Sequence, residues 1–377
     1  MQVERLELTG FRSYPALILE PAGGPQVLFG PNAAGKTNLL EALVVLARGT
    51  SHRAPDVELI AWEAPLARVA ATIGHGPGHA RDELEVALVR GEGQGIRKRL
   101  RVNGSPRRAS ALAEALRVVV FAPEEMLLVA GPPVLRRQAL DSLAAARWPA
   151  YGRSLSTYGR ALAQRNALLR RIREGEGSPD QLAYWDATVV EEGGRVVAWR
   201  LELLADLAAP LAAAHEEIAP AEGRLSLRYA SNAPAAAGET PAEAFRRRLA
   251  ETAEKELWQG TTLVGPHRDD AVFELDGRAL AGFGSRGQQR SAILALKLAE
   301  LELLTGQDGE PPLLLLDDVF SELDPDRRAH LVRRVEALPQ AFVTTTALED
   351  LDPALVARST AWEVAPGRVR RAGTGAA

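Results

Sequence analysis

The sequence predicts an α/β fold: a lobe of mixed sheets into which a helical lobe is inserted, with no long coiled coil. Three observations carry that expectation. Gln26-Val27-Leu28-Phe29 is a short apolar run that enters a glycine-rich loop, and the loop opens into residues 38–48, where Leu39, Leu40, Leu43 and Leu46 have helical spacing. Two further apolar runs, 313–316 and 341–343, flank a helical stretch at 326–338, which is the alternation of a parallel sheet. Between these regions, residues 124 to about 222 are rich in Ala, Leu and Arg, the composition of packed helices.

In chain order, Val3-Glu4-Arg5-Leu6-Glu7-Leu8 alternates as a half-buried strand does, and Leu17-Ile18-Leu19-Glu20 gives a second strand after a turn at Tyr14-Pro15. Residues 67–103 return to strands with Gly-rich turns, and Asn103-Gly104 is a hairpin dipeptide because both residues tolerate positive φ. Arg117-Val118-Val119-Val120-Phe121 reads as a buried strand. Pro132-Pro133, Gly175-Glu176-Gly177 and Pro210 are expected to break the helical lobe into separate helices. Strands resume at 225–229, a helix is expected at 241–258, and Asp276-Gly277 after 272–275 suggests a hairpin. The expected organisation is a nucleotide-binding lobe in two parts, 1–123 and 223–377, with the helical lobe 124–222 inserted between them.

Composition is ordinary for a globular protein, with 46% hydrophobic and 25% charged residues among 377, so disorder is not indicated. No apolar run reaches membrane-spanning length and the start lacks the layout of a secretory signal, so a cytoplasmic protein without a membrane partner is expected. The absence of cysteine excludes disulfides and thiolate metal sites. The formal net charge of −4 argues against a uniformly basic coat, but charge is unevenly placed. Residues 96–113 hold six Arg or Lys and no acid, 160–173 hold five Arg and no acid, and Arg246, Arg247 and Arg248 are consecutive. Each run is either a solvated face or a phosphate-contacting surface.

The strongest chemical signal is Gly30-Pro31-Asn32-Ala33-Ala34-Gly35-Lys36-Thr37, a complete GxxxxGKT between a strand and a helix. In such a loop the backbone amides and Lys36 face nucleotide phosphates, and Thr37 offers a hydroxyl to Mg²⁺. Asp317, at the end of Leu313-Leu314-Leu315-Leu316, is placed to be the metal partner, and Asp318 to orient or deprotonate an attacking water. Gly284-Ser285-Arg286-Gly287-Gln288-Gln289-Arg290 precedes a helical run, where Ser285, Gly287 and Gln288 could meet a phosphate or simply cap the helix.

Taken with Val319-Phe320-Ser321-Glu322-Leu323-Asp324, these motifs resemble those of ABC ATPases: Walker A, signature, Walker B and D-loop. In that superfamily the signature motif of one subunit closes over the nucleotide held by the other. ATP and Mg²⁺ as cofactors, catalysis by Lys36, Asp317, Asp318 and Ser285, and an ATP-dependent homodimer are what the resemblance implies. Thr37 and Asp317 stand 280 positions apart, which disfavours a transporter's ATPase subunit, and the insertion is too short for the arms of SMC proteins. No acceptor site for a metabolic kinase and no N-K-x-D motif of a GTPase is present. A DNA-binding protein with an inert nucleotide site is disfavoured by the intact Lys36, Thr37, Asp317 and Asp318.

Over essentially its whole length the chain resembles the RecF family. The residues that carry this are Gly10-Phe11-Arg12-Ser13-Tyr14, Asn32 through Asn38 with Leu39-Leu40-Glu41-Ala42, Ser51-His52-Arg53, Phe121-Ala122-Pro123-Glu124, Gly131-Pro132 with Arg136-Arg137, and Thr262-Leu263-Val264-Gly265-Pro266-His267-Arg268-Asp269-Asp270. The resemblance implies slow, DNA-stimulated ATP hydrolysis, binding to double-stranded and gapped DNA, and a role in recombinational repair and replication restart. It also implies partnership with RecR, and with RecO and RecA in loading the recombinase. Asp318 stands where most ABC ATPases have Glu, and Thr344-Thr345-Thr346 where transporters place a switch histidine. Arg12, His267 and Arg268 are open between ligand contact and packing.

Overall fold

Alternating and continuous apolar runs sort the strands into three sheets. The computed structural model describes residues 1–76, 80–91 and 95–373. Its strands up to the helical insertion are β1 (Gln2–Phe11), β2 (Tyr14–Leu19), β3 (Gly24–Phe29), β4 (Leu66–Gly74), β5 (Asp82–Arg90), β6 (Ile96–Val102), β7 (Ser105–Pro106) and β8 (Val118–Phe121). After it come β9 (Leu225–Ala230), β10 (Asp270–Leu275), β11 (Arg278–Ala279), β12 (Leu313–Asp317), β13 (Gln340–Thr345), β14 (Thr360–Ala365) and β15 (Arg368–Arg371).

The chain forms two compact units, Met1–Met126 with Leu294–Ala377, and Leu127–Ile293. In the first, the alternating strands make an antiparallel sheet in the order β2-β1-β4-β5-β6-β7, and the continuous apolar runs make a second sheet, β15-β14-β3-β13-β12-β8. The latter is parallel from β14 to β8, as strands buried on both faces tend to be. The helix Lys36–Arg48 packs against both sheets, and every residue from Leu39 to Ala47 is buried. A helix apolar around its whole circumference is stable only in such a position. Its contacts join Leu6 and Leu8 of β1, Val69 of β4, Leu84 of β5 and Leu313 and Leu315 of β12 into one core.

The second unit is built on three long helices, Pro149–Arg173, Ala183–Ile218 and Pro241–Gln259, with the small sheet β11-β10-β9. Gly193 and Gly194 let these helices approach closely. A Cβ on Gly194 would lie 2.6 Å from Cβ of Ala242, and one on Gly193 would lie 2.6 Å from the Phe245 ring.

Three expectations are corrected. Pro210 does not break a helix: Ala183–Ile218 runs through it, because Leu203, Leu207, Leu211, Ala214 and Ile218 form one buried stripe. The packing of that stripe outweighs the roughly 3 kcal/mol a mid-helix proline costs. The first hairpin turns at Arg12-Ser13, not Tyr14-Pro15, with Phe11 paired to Tyr14 and Arg12 at φ 51°. Pro15 is tolerated inside β2 because β2 is an edge strand. Finally, the second unit ends at Ile293 rather than near 222, because β9 packs on the helix Ala183–Ile218 and β10 on the helix Pro133–Arg147.

Candidate functional site

Parallel strands with matched register bring their C-terminal ends to one edge, which is where open α/β sheets bind ligands. Phe29 of β3 lies beside Thr345 of β13, and Thr344 beside Asp317 of β12. The loop after β3 turns through residues that must tolerate positive φ: Gly30 at 151°, Ala33 at 62° and Gly35 at 110°. At Gly30 a side chain would collide with the Val364 carbonyl, and at Gly35 it would come within 2.7 Å of the Tyr14 hydroxyl. That hydroxyl donates to the Gly35 carbonyl at 3.0 Å, and Asn38 donates to Ser13 at 2.9 Å, so the first hairpin braces the loop.

Lys36 is buried, and its ammonium donates to the carbonyls of Gly30 at 2.6 Å and Pro31 at 2.9 Å. Burial lowers its pKa, opposed by the nearby carboxylates of Asp318 and Asp317. Pro31, Asn32 and Ala33 form the exposed crest of the loop, and Ala34 is buried beneath it. Lys36 thus sits inside a curl of backbone whose carbonyls accept its hydrogen bonds.

A continuous chain of hydrogen bonds crosses the strand ends. The hydroxyls of Thr37 and Thr344 both donate to Asp317 Oδ1, at 3.0 and 2.7 Å, and the Asp318 amide donates to Thr344 Oγ1 at 2.9 Å. Asp318 has φ 52°, so its backbone is turned out of the strand line just after β12, and its carbonyl accepts from Ser321 at 2.8 Å. Of the three threonines, only Thr344 joins this chain; Thr345 donates to the Ala347 carbonyl and Thr346 to Asp350. Thr344 is the site residue that the sequence left undistinguished from its neighbours.

Thr37 and Asp317 supply a hydroxyl and a carboxylate 3.0 Å apart, both hard oxygen donors. Among the described residues no group of three or more His, Cys, Asp or Glu forms a metal cage. This sparse oxygen set suits Mg²⁺, which keeps waters and takes one or two protein ligands together with substrate phosphates.

Arg12 is committed elsewhere. Its guanidinium makes two 2.8 Å bonds to the fully buried Glu41 and a third to the Glu58 carbonyl. Burial acts to raise the Glu41 pKa, but the hydrogen bonds from Arg12 and Ser51 outweigh it and hold the carboxyl below its ordinary value. The Ser51 hydroxyl in turn accepts from the Arg53 amide.

Ser285, Gly287 and Gln288 lie in the second unit, at the start of the helix Arg286–Thr305. Ser285 is exposed, and it forms a reciprocal cap with Gln288: the Ser285 amide donates to Gln288 Oε1 at 2.9 Å and the Gln288 amide to Ser285 Oγ at 3.2 Å.

His267 and Arg268 belong to a packed loop. His267 accepts from the Tyr158 hydroxyl at 2.6 Å and its other ring nitrogen faces the Thr262 carbonyl; burial pushes its pKa down to about 4. Arg268 donates to the same Thr262 carbonyl. Asp269, buried beside them, receives Tyr229 and the Asn232 amide.

The three basic runs also separate. Arg165 is buried between Asp186 and Glu256, with bonds of 2.6 and 2.7 Å. Arg247 pairs with Glu239 and Glu251, and Arg248 with Glu251.

The sequence pattern described as the RecF/RecN/SMC N-terminal domain matches residues 2–358. The chain belongs to the RecF family. It is 39% identical to the DNA replication and repair protein RecF of Limosilactobacillus fermentum, covering 98% of this chain and 99% of that protein. It is 41% identical to the RecF of Chloroflexus aurantiacus, again over 98% and 99%. A solved structure described as the recombination mediator protein RecF-ATP in the RecFOR pathway covers 98% of this RecF-family chain and 97% of its own, with a TM-score of 0.88 and 29% identity. Among the described residues no helix is long and apolar enough to cross a membrane.

Proposed function

We propose that this chain is an ATP-dependent DNA-binding protein of bacterial replication and recombinational repair, acting in the cytoplasm. The observation that carries the nucleotide reading is the hydrogen-bonded chain Thr37, Asp317, Thr344 and Asp318 beside the curled loop 30–37. Backbone N–H groups of residues 32–37 and the Lys36 ammonium bind the phosphates, the latter by leaving the Gly30 and Pro31 carbonyls. Thr37 and Asp317 hold Mg²⁺, which supplies charge neutralisation at the phosphates when bound. Thr344 fixes the orientation of Asp317 and the path of the Asp318 backbone. Asp318 orients and deprotonates the attacking water, its shorter side chain relative to glutamate favouring slow turnover.

The exposed Ser285 of a second copy, with Gly287, Gln288 and the helix start behind them, closes over the terminal phosphate. Dimerisation on double-stranded or gapped DNA therefore needs ATP, and hydrolysis releases it. The solved relative's place in the RecFOR pathway supports RecR and RecO as partners and RecA loading as the outcome.

The test is the molar mass of the full chain without nucleotide, with ADP, and with ATP and Mg²⁺, each with and without duplex DNA. A monomer that becomes a dimer only with ATP, and then binds DNA, is expected. Ser285→Arg should bind ATP as a monomer and fail to dimerise. Normal ATP-driven dimers of that variant would overturn the assignment of Ser285 in trans.

A further inference from the structure

The outer face of the antiparallel sheet in the first unit carries charges that can be followed from strand to strand. Glu20 pairs with Arg5 at 2.5 Å, Arg5 with Glu7 at 2.7 Å, Glu7 with Arg68 at 3.0 Å, Arg68 with Glu85 at 2.7 Å, and Glu85 with Arg101 at 3.5 Å. This ladder alternates in sign from Glu20, just past the end of β2, across β1, β4, β5 and β6, so each charge in it has an opposite neighbour.

On β6 the alternation continues past the ladder. Arg99 and Arg97 follow Arg101 at every second position, on the same face, and their cross-strand neighbours on β5 are Ala87 and Val89, which bring no charge. Both are exposed, and neither has an ionic or hydrogen-bonding side-chain partner among the described residues. Lys98, between them, points to the opposite face and is held by Asp56 at 2.7 Å and the Gly49 carbonyl at 2.8 Å. After β7, Arg107 and Arg108 are exposed, again with no side-chain partner among the described residues. Arg107 is anchored through its backbone to the Leu100 carbonyl, which keeps this segment beside β6.

Individual cations differ in neutralisation. Arg165, Arg247 and Arg248 have acidic partners within 3.3 Å, whereas Arg97, Arg99, Arg107 and Arg108 have none among the described residues. Successive outward side chains on a strand are about 6.8 Å apart, so Arg97 to Arg101 spans about 14 Å. One strand of duplex DNA presents a phosphate every ~3.4 Å of axis, so a stripe of that length meets several. Edge-strand arginines also discourage sheet-to-sheet aggregation, and that bland use predicts no effect on DNA.

We propose that β6 and the segment after β7 form the surface on which the duplex DNA backbone docks, with Arg97 and Arg99 contacting phosphates without regard to sequence. This rests on the DNA-binding reading above. The experiment measures binding of the full chain, with ATP and Mg²⁺, to a fluorescent duplex across a salt series. Arg97→Gln with Arg99→Gln is expected to weaken binding at least about tenfold in low salt and to make the slope of log affinity against log salt shallower by about 2, nearly one unit for each lost contact. Nucleotide affinity should be unchanged. Arg107→Gln with Arg108→Gln reads the same surface independently and should move the slope in the same direction, while Arg247→Gln with Arg248→Gln should leave it alone. Unchanged slopes in both β6-side variants, with wild type binding normally, overturn this surface but leave the DNA reading standing. Wild type that binds no duplex under any nucleotide condition overturns both.

Discussion

The loop at 30–37 and the loop at 262–270 both turn on a glycine at positive φ followed by a proline, yet their polar side chains are committed differently. Gly30 and Gly265 have φ of 151° and 122°. In the first loop, the Lys36 ammonium donates to two backbone carbonyls near the Asp317 and Asp318 carboxylates, and the crest of the loop is open to solvent. A phosphate can replace those carbonyls without stranding any charge. In the second, Arg200 and Asp269 are joined through Tyr229, and His267 is held by Tyr158 and the Thr262 carbonyl. Arg200 is 2% exposed and bonded to Asp141 at 2.7 Å, to Tyr151, to Tyr229 and to the Pro266 carbonyl; Tyr229 continues to Asp269 at 2.7 Å. Among the described residues each of these groups has its hydrogen-bond partners. The difference is one of exchangeable partners in the first loop and saturated partners in the second.

That comparison is tested most severely at the open loop. Asp318→Asn removes the group assigned to the water and should lower turnover by about 10² to 10⁴ while ATP-driven dimers persist or lengthen in lifetime. Turnover within a factor of two of wild type would remove Asp318 from the mechanism. Lys36→Ala should abolish nucleotide binding at micromolar concentrations, a loss of at least about a hundredfold for a charge-assisted phosphate contact. Its melting temperature without nucleotide should barely move, because Lys36 anchors nothing but its own loop. Nucleotide affinity retained by Lys36→Ala would mean that the curl of carbonyls is its permanent partner.

Much of the placement of these candidate residues was legible because the signals are local. Residues 30–37 and 313–318 are each consecutive, so each run lies at the end of a strand that the sequence already predicts. Thr344 was not legible among three threonines, because the choice depends on the parallel register that sets it opposite Asp317. Arg165 looked like one more solvated cation in a run without acids, since its partners Asp186 and Glu256 come from other helices. Pro210 misled for the same reason: the tertiary packing that carries the helix through it leaves no punctuation in the sequence.

The closed network gives the next effect. Arg200→Leu should destabilise the fold by about 3 to 5 kcal/mol, the usual cost of stranding one partner of a buried ion pair. Chemical denaturation reads this directly, and nucleotide affinity measured well below the transition should be unchanged. A variant that is fully stable but fails to bind nucleotide would mean that the two loops have been assigned the wrong way round.

His267 makes the smallest and most specific test. Its folded pKa is about 4, below the ordinary 6.5, because burial disfavours the imidazolium, and the Tyr158 hydroxyl donates to the ring nitrogen that would otherwise take the proton. The unfolded chain therefore binds a proton that the folded chain refuses between pH 6.5 and 4. The stabilisation is fully present above 6.5 and is lost as pH falls through that window, to an extent on the order of 3 kcal/mol. Other groups titrate there as well, so the quantity to follow is the difference between wild type and His267→Asn. That difference should shrink steadily from pH 7 to pH 4 if His267 is a neutral packing residue. A constant difference would show that the ring is already able to protonate in the folded loop, and that this loop is more open than its hydrogen bonds imply.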